Sequence, residues 1–458
     1  MPGVRMVWRI AIAAIICGGG CGRFETGPRP KGWTTGFWFW QGSHGSGGTG
    51  INNPVDVLYC QTGTIGARLG PSVREAWPGW KEPWPVHENL LPENLPSARE
   101  YWLVFRAEGP GIPPVRVAAE LARKVAIVQA DARRRRLTVA GIQLDVDSPT
   151  RALSDYAAFL RELRKHLAPG VQISMTALLD WFRRGTSIAE VVGAVDEFVP
   201  QFYDVQEWNP YSGGYAIAAR FDASQWGPIF DRYQKRYRIG ISTFGRARLL
   251  AHLETRMIQD IEPLDFAVNP VFKLETLRTE ARELRLRYRA TADAWVGYHR
   301  FGAGDLVEFT LPALEAIGAA VSQARAMGNY CAGVVFFRWP AFNEVLTLPP
   351  ADVLAAAGAA PSVKRLAELR VVEGDCAAVH CVDIFLVNPH PLAAKPISIV
   401  IASSSELEYF LPRDRMPVRM SGPTRLQVSV PAYGGRTLMQ LGRAVSLGRA
   451  EFRIEEER

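Results

Sequence analysis

The chain has 458 residues, of which 48% are hydrophobic and 22% charged, and it carries a formal net charge of +7. This composition excludes a disordered chain, and so small a charge surplus over so long a chain predicts no nucleic-acid surface. The length exceeds what one ordinary hydrophobic core uses, so we expect one large domain and one small domain.

The start of the chain has the pattern of an export signal. Arg5 and Arg9 come first, and the apolar run from Ile10 to Cys17 that follows is too short to span a bilayer as a stable helix. The end of this segment, Gly18-Gly19-Gly20-Cys21, resembles a bacterial lipobox, in which the cysteine is lipidated, although Gly18 stands where Leu is usual. We therefore expect a leader over residues 1–21 and lipid on Cys21. Cleavage by an ordinary signal peptidase is the alternative.

A lipidated Cys21 would anchor the chain in a membrane. Gly22 follows it, rather than an Asp retention signal. The expected location is the outer membrane of a Gram-negative envelope, with the protein facing the periplasm. Residues 22–32, rich in Gly and Pro, would form the tether between the lipid and the first domain.

Eight short apolar runs follow the tether, and amphipathic segments such as Val115–Ala132, Ser154–Leu167 and Ser187–Asp196 lie between several of them. This alternation is typical of parallel βα units. We therefore predict an α/β fold, a (β/α)₈ TIM barrel over residues 33–361, with a hairpin insertion at Glu283–Leu311. The predicted strands are Gly36–Trp40, Val55–Cys60, Tyr101–Arg106, Val139–Asp147, Val171–Thr176, Phe198–Tyr203, Tyr237–Thr243 and Ala332–Arg338.

Residues 362–458 have a different pattern. Helical periodicity fades, and Cys381–Val387, Ile397–Ile401 and Leu426–Val430 read as strands between Pro, Asn and Gly turns. We predict a small C-terminal β-sandwich. An exported chain sits where disulfides persist, so Cys376 and Cys381 are predicted to pair. No set of His or Cys at ligand spacing surrounds them, and we expect neither a metal nor a cofactor.

The fourth predicted strand carries the strongest functional signal. Alternation along a strand places Gln143, Asp145 and Asp147 on one face, at the carboxyl end of an otherwise apolar run. Burying carboxylates in a packed core is costly, so these side chains should face a wet or functional cavity. The alternative is structural: Asp147 would cap the next helix and Asp145 would pair with a buried Arg.

Aromatic and polar residues near other strand ends are candidates for ligand contacts. Trp80 lies in a loop rich in Trp and Pro that also holds Trp77 and Trp84, and such a loop either presents flat apolar faces to a ligand or forms a satellite core. Trp208 and Trp339 follow later strands and would approach the same mouth. Tyr203 and Asp204 end the sixth predicted strand and would hold the reacting group, or else form an ordinary pair at a strand end.

These motifs resemble a known family. Gly141-Ile142-Gln143-Leu144-Asp145-Val146-Asp147 looks like the fourth-strand signature of family 18 glycoside hydrolases, the chitinase-like barrels. The segment from Gln201 to Asp204 is similar to their sixth-strand motif, and the segment from Gly333 to Trp339 is similar to their eighth strand with the tryptophan displaced by one position. The whole arrangement more closely resembles a bacterial lipoprotein family, the domain of unknown function 3142.

The resemblance implies a barrel that binds a glycan and hydrolyses it by acid catalysis. In that hypothesis Asp147 is the general acid, Asp145 raises its pKa, Gln143 lies beside them and Trp339 forms the floor of the site. Asp147 stands where the hydrolases have a catalytic Glu, and Gln143 where they have Asp. A non-catalytic scaffold lipoprotein that binds a glycan or a protein is therefore the competing hypothesis.

Overall fold

The computed structural model describes residues 32–40, 43, 54–66, 84–108, 111–202, 222–251, 254–258, 261, 263–267, 269–279, 283–341, 346–359, 368–374, 376, 379–387, 397–413, 418–430 and 438–457.

The strands are numbered in chain order. The first eight are β1 (Thr34–Phe39), β2 (Val55–Ile65), β3 (Val86–Glu88), β4 (Ala98–Ala107), β5 (Val139–Asp145), β6 (Gln172–Ala177), β7 (Glu197–Phe202) and β8 (Arg236–Ser242). The next eight are β9 (Arg246–Ala251), β10 (Glu254–Ile258), β11 (Phe272–Thr279), β12 (Glu283–Ala290), β13 (Ala294–Val296), β14 (His299–Phe301), β15 (Leu306–Pro312) and β16 (Cys331–Phe337). The last eight are β17 (Glu368–Glu373), β18 (His380–Val387), β19 (Ile397–Ser403), β20 (Leu407–Pro412), β21 (Val418–Gly422), β22 (Arg425–Val430), β23 (Leu438–Ser446) and β24 (Phe452–Glu457).

Eight parallel strands form a closed barrel. The order around it is β1-β16-β8-β7-β6-β5-β4-β2, and pairing of β1 with β2 closes the ring. The short strand β3 adds to β2 in antiparallel sense at the edge. Each predicted barrel strand overlaps one of these eight, so the predicted TIM-barrel fold class is confirmed. Because all eight strands run the same way, their carboxyl ends meet at one mouth.

Helices cover the outside of the barrel. They are α1 (Ala118–Arg134), α2 (Leu153–His166), α3 (Ile188–Ala194), α4 (Ala223–Asp231), α5 (Pro263–Ala267), α6 (Leu314–Arg325) and α7 (Pro350–Ala356). Helices α1 to α4 and α7 follow barrel strands, whereas α5 and α6 follow strands of an insertion. The main hydrophobic core lies between helices and strands and includes Ile142, Leu144 and Val146 from the outward face of the β5 segment. Among the described residues, no helix is long and apolar enough to cross a bilayer.

One glycine shows how tightly the barrel strands approach each other. Gly141 in β5 pairs with Gln172 in β6, and a Cβ atom at residue 141 would lie 2.1 Å from the Gln172 carbonyl oxygen. Any side chain there would therefore push the two strands apart.

The inside of the barrel is filled by aromatic rings and by a buried chain of polar groups. The rings of Tyr59 and Trp102 stack with centroids 5.7 Å apart, and Trp38 packs against Tyr59. The Nε1 of Trp38 donates to Oε1 of Gln143 at 2.6 Å, and Nε2 of Gln143 donates to Oγ of Ser174 at 3.1 Å. Buried polar groups need such partners, because an unsatisfied one keeps its full cost of desolvation.

The polar chain continues to an ion pair at the other end of the barrel. Ser174 donates to Oε1 of Glu197 at 3.2 Å, and Tyr59 donates to the same oxygen at 2.6 Å. Glu197 Oε2 pairs with the guanidinium of Arg238, and these two side chains are 1% and 0% exposed. Nε of Arg238 also donates to Thr34. Strands β1, β2, β5, β6, β7 and β8 are thus linked through side chains inside the barrel.

An insertion between β8 and α6 forms a sheet of its own. Its strands follow the order β10-β9-β15-β12-β11 and are all antiparallel. The predicted hairpin at Glu283–Leu311 covers β12 to β15, so the insertion is larger than predicted and begins at β9. On one face of this sheet, Phe309 of β15 packs against Phe266 of α5, and Phe266 also packs against Phe301 of β14.

The C-terminal segment forms two antiparallel sheets of four strands, β17-β18-β23-β20 and β21-β22-β19-β24. Their shared core contains Ile384, Ile399, Val428 and Leu441. Two sheets around one core agree with the predicted β-sandwich. A disulfide joins Cys376 to Cys381.

The buried ion pair should be essential for stability. Replacing Arg238 by Met leaves the buried Glu197 carboxylate with only Arg236, a partly exposed side chain whose Nε lies 3.3 Å from Oε2. We expect the free energy of unfolding to fall by about 3 kcal/mol, the low end for breaking a buried pair. The double variant Arg238→Met/Glu197→Leu should recover much of this loss, because no buried charge remains. Urea unfolding followed by circular dichroism measures both.

The exposed pair of Arg300 and Asp293 serves as a control, with side chains 67% and 61% exposed. The variant Arg300→Met should have little effect on stability. Equal losses for Arg238→Met and Arg300→Met would contradict the account of the buried pair.

Candidate functional site

A cavity of about 670 Å³ opens at the carboxyl ends of the barrel strands. Its walls come from six of the eight barrel strands or from the residues just after them. The lining residues are Trp38, Trp40, Arg106, Asp145, Asp147, Thr176, Leu178, Leu179, Asp180, Arg183, Gln201 and Phe337. A cavity of this size at this face of a barrel is where ligands bind in such folds.

Asp145 lies deep in this cavity. It ends β5, is 5% exposed, and both its oxygens have partners: Oδ2 accepts from Nη1 of Arg106 at 3.0 Å, and Oδ1 accepts from Oγ1 of Thr176 at 2.8 Å. Burial raises the pKa of the Asp145 carboxyl, the Arg106 cation acts against this rise, and the charge of Asp147 adds to it. Asp145 is thus the carboxyl in the cavity that burial favours in its protonated form.

Asp147 lies two residues further on, at the cavity mouth. Its side chain is 60% exposed, and Oδ2 lies 3.8 Å from Nη2 of Arg106. It does not cap the next helical segment, the short turn Thr150–Ala152, whose capping residue is Pro149. Asp147 is therefore the exposed carboxyl of the pair, and Asp145 is the buried one.

Gln143 does not reach the cavity. It is fully buried, and its amide is occupied by Trp38 on one side and Ser174 on the other. The predicted role in substrate binding is therefore wrong. Gln143 holds the indole of Trp38, and it is Trp38 that lines the cavity.

Trp339 does not form the floor of the site. It is 1% exposed and packs outside the ring of strands against Phe37 and Phe39, with centroids 5.2 and 6.4 Å away. Phe337, two residues earlier, faces the cavity and contacts Trp38 and Trp40. Alternation along a strand would place residues 337 and 339 on the same side. The strand β16 ends at Phe337, so the alternation does not extend to Trp339.

Other predicted contacts lie outside the described residues: Tyr203, Asp204, Trp208 and Trp80, together with Cys21 of the leader. Trp84 is described, and it is half-buried against the main core, which agrees with the satellite-core alternative for that residue. Among the described residues, no group of three or more His, Cys, Asp or Glu side chains could hold a metal ion.

Sequence reasoning missed the cation of the site. Arg106 lies near the end of β4, its guanidinium contacts both Asp145 and Asp147, and it stacks on the Trp40 ring with Cζ 5.8 Å from the centroid. The predicted strand Tyr101–Arg106 ends at this residue, and its carboxyl end should lie at the same mouth as that of β5. This position was the signal that could have identified Arg106. The structural alternative for Asp145 predicted a pair with a buried Arg. Asp145 does pair with an Arg, but Arg106 is 34% exposed and the pair lines the cavity.

Fold and site together define a (β/α)₈ barrel with a carboxylate pair and aromatic walls at the mouth. Residues 101–286 match the family described as Domain of unknown function (DUF3142). This confirms the resemblance to that family over the matched segment. No curated protein sequence matches the chain.

Solved structures similar to this chain include chitinase-like barrels. The chitinase from Chromobacterium violaceum is 14% identical, with 71% of this chain and 98% of that chain covered and a TM-score of 0.41. The spore cortex-lytic enzyme SleL from Bacillus cereus is 12% identical, with 71% and 74% covered and a TM-score of 0.40. A chitinase from Bacteroides thetaiotaomicron is 13% identical, with 71% and 97% covered and a TM-score of 0.39.

The raised pKa of Asp145 predicts a pH dependence of stability. Between the ordinary Asp pKa of about 3.9 and the raised value, the folded state binds more protons than the unfolded state, so this carboxyl makes stability fall as pH rises. Asp145→Asn removes that contribution. The stability of the native chain minus that of Asp145→Asn should therefore decrease as pH rises from about 4 and then level off.

The variant Arg106→Met provides a second test of the same carboxyl. It removes the cation that lowers the pKa of Asp145. The contribution of Asp145 to stability should therefore decrease over a pH range that extends higher than in the native chain. Urea unfolding at a series of pH values measures all three proteins. A constant difference between the native chain and Asp145→Asn would refute the assignment.

Proposed function

We propose that this protein binds a glycan in the cavity at the barrel mouth and hydrolyses it by acid catalysis. The observation that carries the proposal is that one cavity is lined both by aromatic rings and by two carboxyl groups. Trp40 and Phe337 lie 5.8 Å apart between ring centroids, and Asp145 and Asp147 line the same cavity. Apolar ring faces suit the C–H faces of sugars, and carboxylates accept hydrogen bonds from their hydroxyl groups.

The catalytic role rests on Asp147. It is the exposed carboxyl of the pair, it occupies the position that matches the catalytic Glu of the family 18 hydrolases, and its oxygens are open to a ligand. In the proposal Asp147 donates a proton to the glycosidic oxygen as the bond to the anomeric carbon breaks, and the leaving sugar departs as an alcohol. A water molecule then adds to the anomeric carbon and gives a proton to the Asp147 carboxylate, which restores the acid. Asp145, held by Arg106 and Thr176, is fixed in position beside the reacting sugar.

A specific observation favours the second candidate, a glycan-binding protein without catalysis. Arg106 contacts both carboxyl groups of the pair, and its positive charge is best matched by negatively charged carboxylates, whereas acid catalysis requires a proton donor. In this case the same cavity binds a sugar, and the carboxylates act only as hydrogen-bond acceptors. The first candidate releases a hydrolysis product, and the second does not.

The variant Asp147→Asn separates them. If Asp147 is the proton donor, its loss should lower turnover by about 10²–10⁴-fold and leave glycan affinity nearly unchanged, because the amide keeps the shape of the acid. Binding is measured by calorimetry, and hydrolysis by release of reducing ends, on a panel of defined polysaccharides that includes chitin oligosaccharides. Asp155→Asn, an exposed acid on α2, is the matched control.

The variant Trp40→Ala should weaken binding about 3- to 10-fold by removing a stacking face, whereas Trp295→Ala, an exposed tryptophan that does not line the cavity, should not. If the native chain binds a glycan but releases no product, the second candidate, glycan binding without catalysis, is supported. Absence of binding to every glycan in the panel would contradict both candidates.

The proposed location is the cell envelope, with lipid on Cys21. The lipobox-like end of the leader supports this proposal. Cells grown with a clickable palmitate analogue should label the native protein and not Cys21→Ser. Label that persists on Cys21→Ser, or a native protein without label, would rule out the anchor at this residue.

A further inference from the structure

The rim of the cavity carries a second arginine, which differs from Arg106 in its surroundings. Arg183 follows the short 3-10 helix Leu179–Phe182, is exposed, and lines the cavity. Its side chain forms no hydrogen bond or ion pair with any residue that the structure describes. The guanidinium of Arg106, in contrast, is held by Asp145 and Asp147. Among the described residues of the cavity wall, Arg183 is therefore the cation that is available to a ligand.

The carboxyl groups of the cavity wall have partners of their own. Asp145 and Asp147 lie at the end of β5 next to Arg106, and Asp180, three residues before Arg183, accepts from Oγ1 of Thr150 at 2.6 Å. An anionic group of a ligand would be repelled by the exposed Asp147 and attracted by Arg183. We therefore expect an anionic group of a ligand at Arg183, the lining cation that no described acid pairs with.

The insertion adds positive charge next to the same cavity. Arg246 stacks on Phe244 with Cζ 5.4 Å from the ring centroid, and Phe244 contacts Phe337 of the cavity wall with centroids 5.5 Å apart. Arg246 belongs to the face of the insertion sheet opposite its hydrophobic core. That face also carries Lys273 of β11, Arg285, Arg287 and Arg289 of β12, and the buried Arg248 of β9, which is 2% exposed.

Acids pair with two of these cations. Arg287 pairs with Glu308 at 2.6 Å, and Arg289 pairs with Glu275. Burial and the nearby positive charge of Arg248 lower the pKa of Arg246, which shows how closely the like charges are placed.

We propose that the cavity takes an acidic glycan and that the guanidinium of Arg183 binds one of its carboxylate, sulfate or phosphate groups. This inference rests on the proposed glycan-binding function and names the substrate class of that site. Arginine suits the role because its planar fork donates two parallel hydrogen bonds to such groups, and these charge-assisted bonds are stronger than neutral ones. Arg183 is thus a specificity-determining residue, distinct from the carboxyl pair.

The test compares acidic oligosaccharides with neutral partners of the same backbone. The probes are oligogalacturonate and chondroitin tetrasaccharides, their carboxyl methyl esters, and chondroitin 4-sulfate, titrated into the mature protein by calorimetry. We expect the native protein to bind at least one acidic probe more tightly than its ester, and Arg183→Gln to lose about tenfold in affinity for that probe. The ester and sulfate arms show which anionic group is bound.

The adjacent Arg184 provides a matched control. It is also exposed but does not line the cavity, so Arg184→Gln should bind as the native protein does. Arg183→Lys should retain part of the preference, because it keeps the charge and loses the fork. The affinity of Arg183→Gln for acidic probes should also depend less on salt than that of the native protein.

The outcomes separate this inference from the proposed function. Neutral oligosaccharides that bind as tightly as acidic ones, or an unchanged acidic preference in Arg183→Gln, would refute the inference and leave glycan binding intact. Equal losses in Arg183→Gln and Arg184→Gln would also refute it, because the effect would then be general surface charge. Failure of all acidic and neutral glycans to bind would refute both.

Discussion

The buried chain of polar groups inside the barrel determines the arrangement of the site. It runs from the ion pair of Arg238 and Glu197 through Ser174 and Gln143 to the indole of Trp38. Each member is buried, so each needs its partner, and a shift of one strand against another would leave a donor or a charge unsatisfied. The chain therefore fixes the register of the strands whose carboxyl ends form the cavity. It also places Trp38 at the cavity floor.

The cavity itself combines two kinds of residue. Trp40 and Phe337 provide apolar faces, and Asp145, Asp147 and Arg106 form a compact charged group beside them. Burial of Asp145 and exposure of Asp147 give two neighbouring carboxyls different surroundings, the usual way in which a fold assigns different roles to equal groups. Arg106 connects them, and its charge decides whether the pair acts as acid or as acceptor. Arg183 adds a second cation to the cavity wall.

Much of the fold could be predicted from the sequence, because the barrel strands are short apolar runs separated by amphipathic helices. The pair of Asp145 and Asp147 could be predicted for the same reason, as acids at the end of such a run. The pair of Arg106 and Asp145 could not, because it joins residues 39 positions apart that only the alignment of β4 and β5 brings together. Gln143 was misassigned because alternation predicts which side of the strand a residue faces but not how deep inside the barrel it lies. Trp339 was misassigned because the sequence does not show where β16 ends. The insertion was underestimated because β9, with arginines alternating with apolar residues, lacks the apolar run of a barrel strand.

The central claim is that a sugar occupies the cavity between the aromatic walls and the carboxyl pair. A crystal structure of the mature protein with the tightest-binding oligosaccharide of the panel tests it most directly. The account predicts a sugar ring against Trp40 or Phe337, with hydroxyl or glycosidic oxygens within hydrogen-bonding distance of Asp147. A sugar bound elsewhere on the protein, with the cavity between these residues empty, would contradict it.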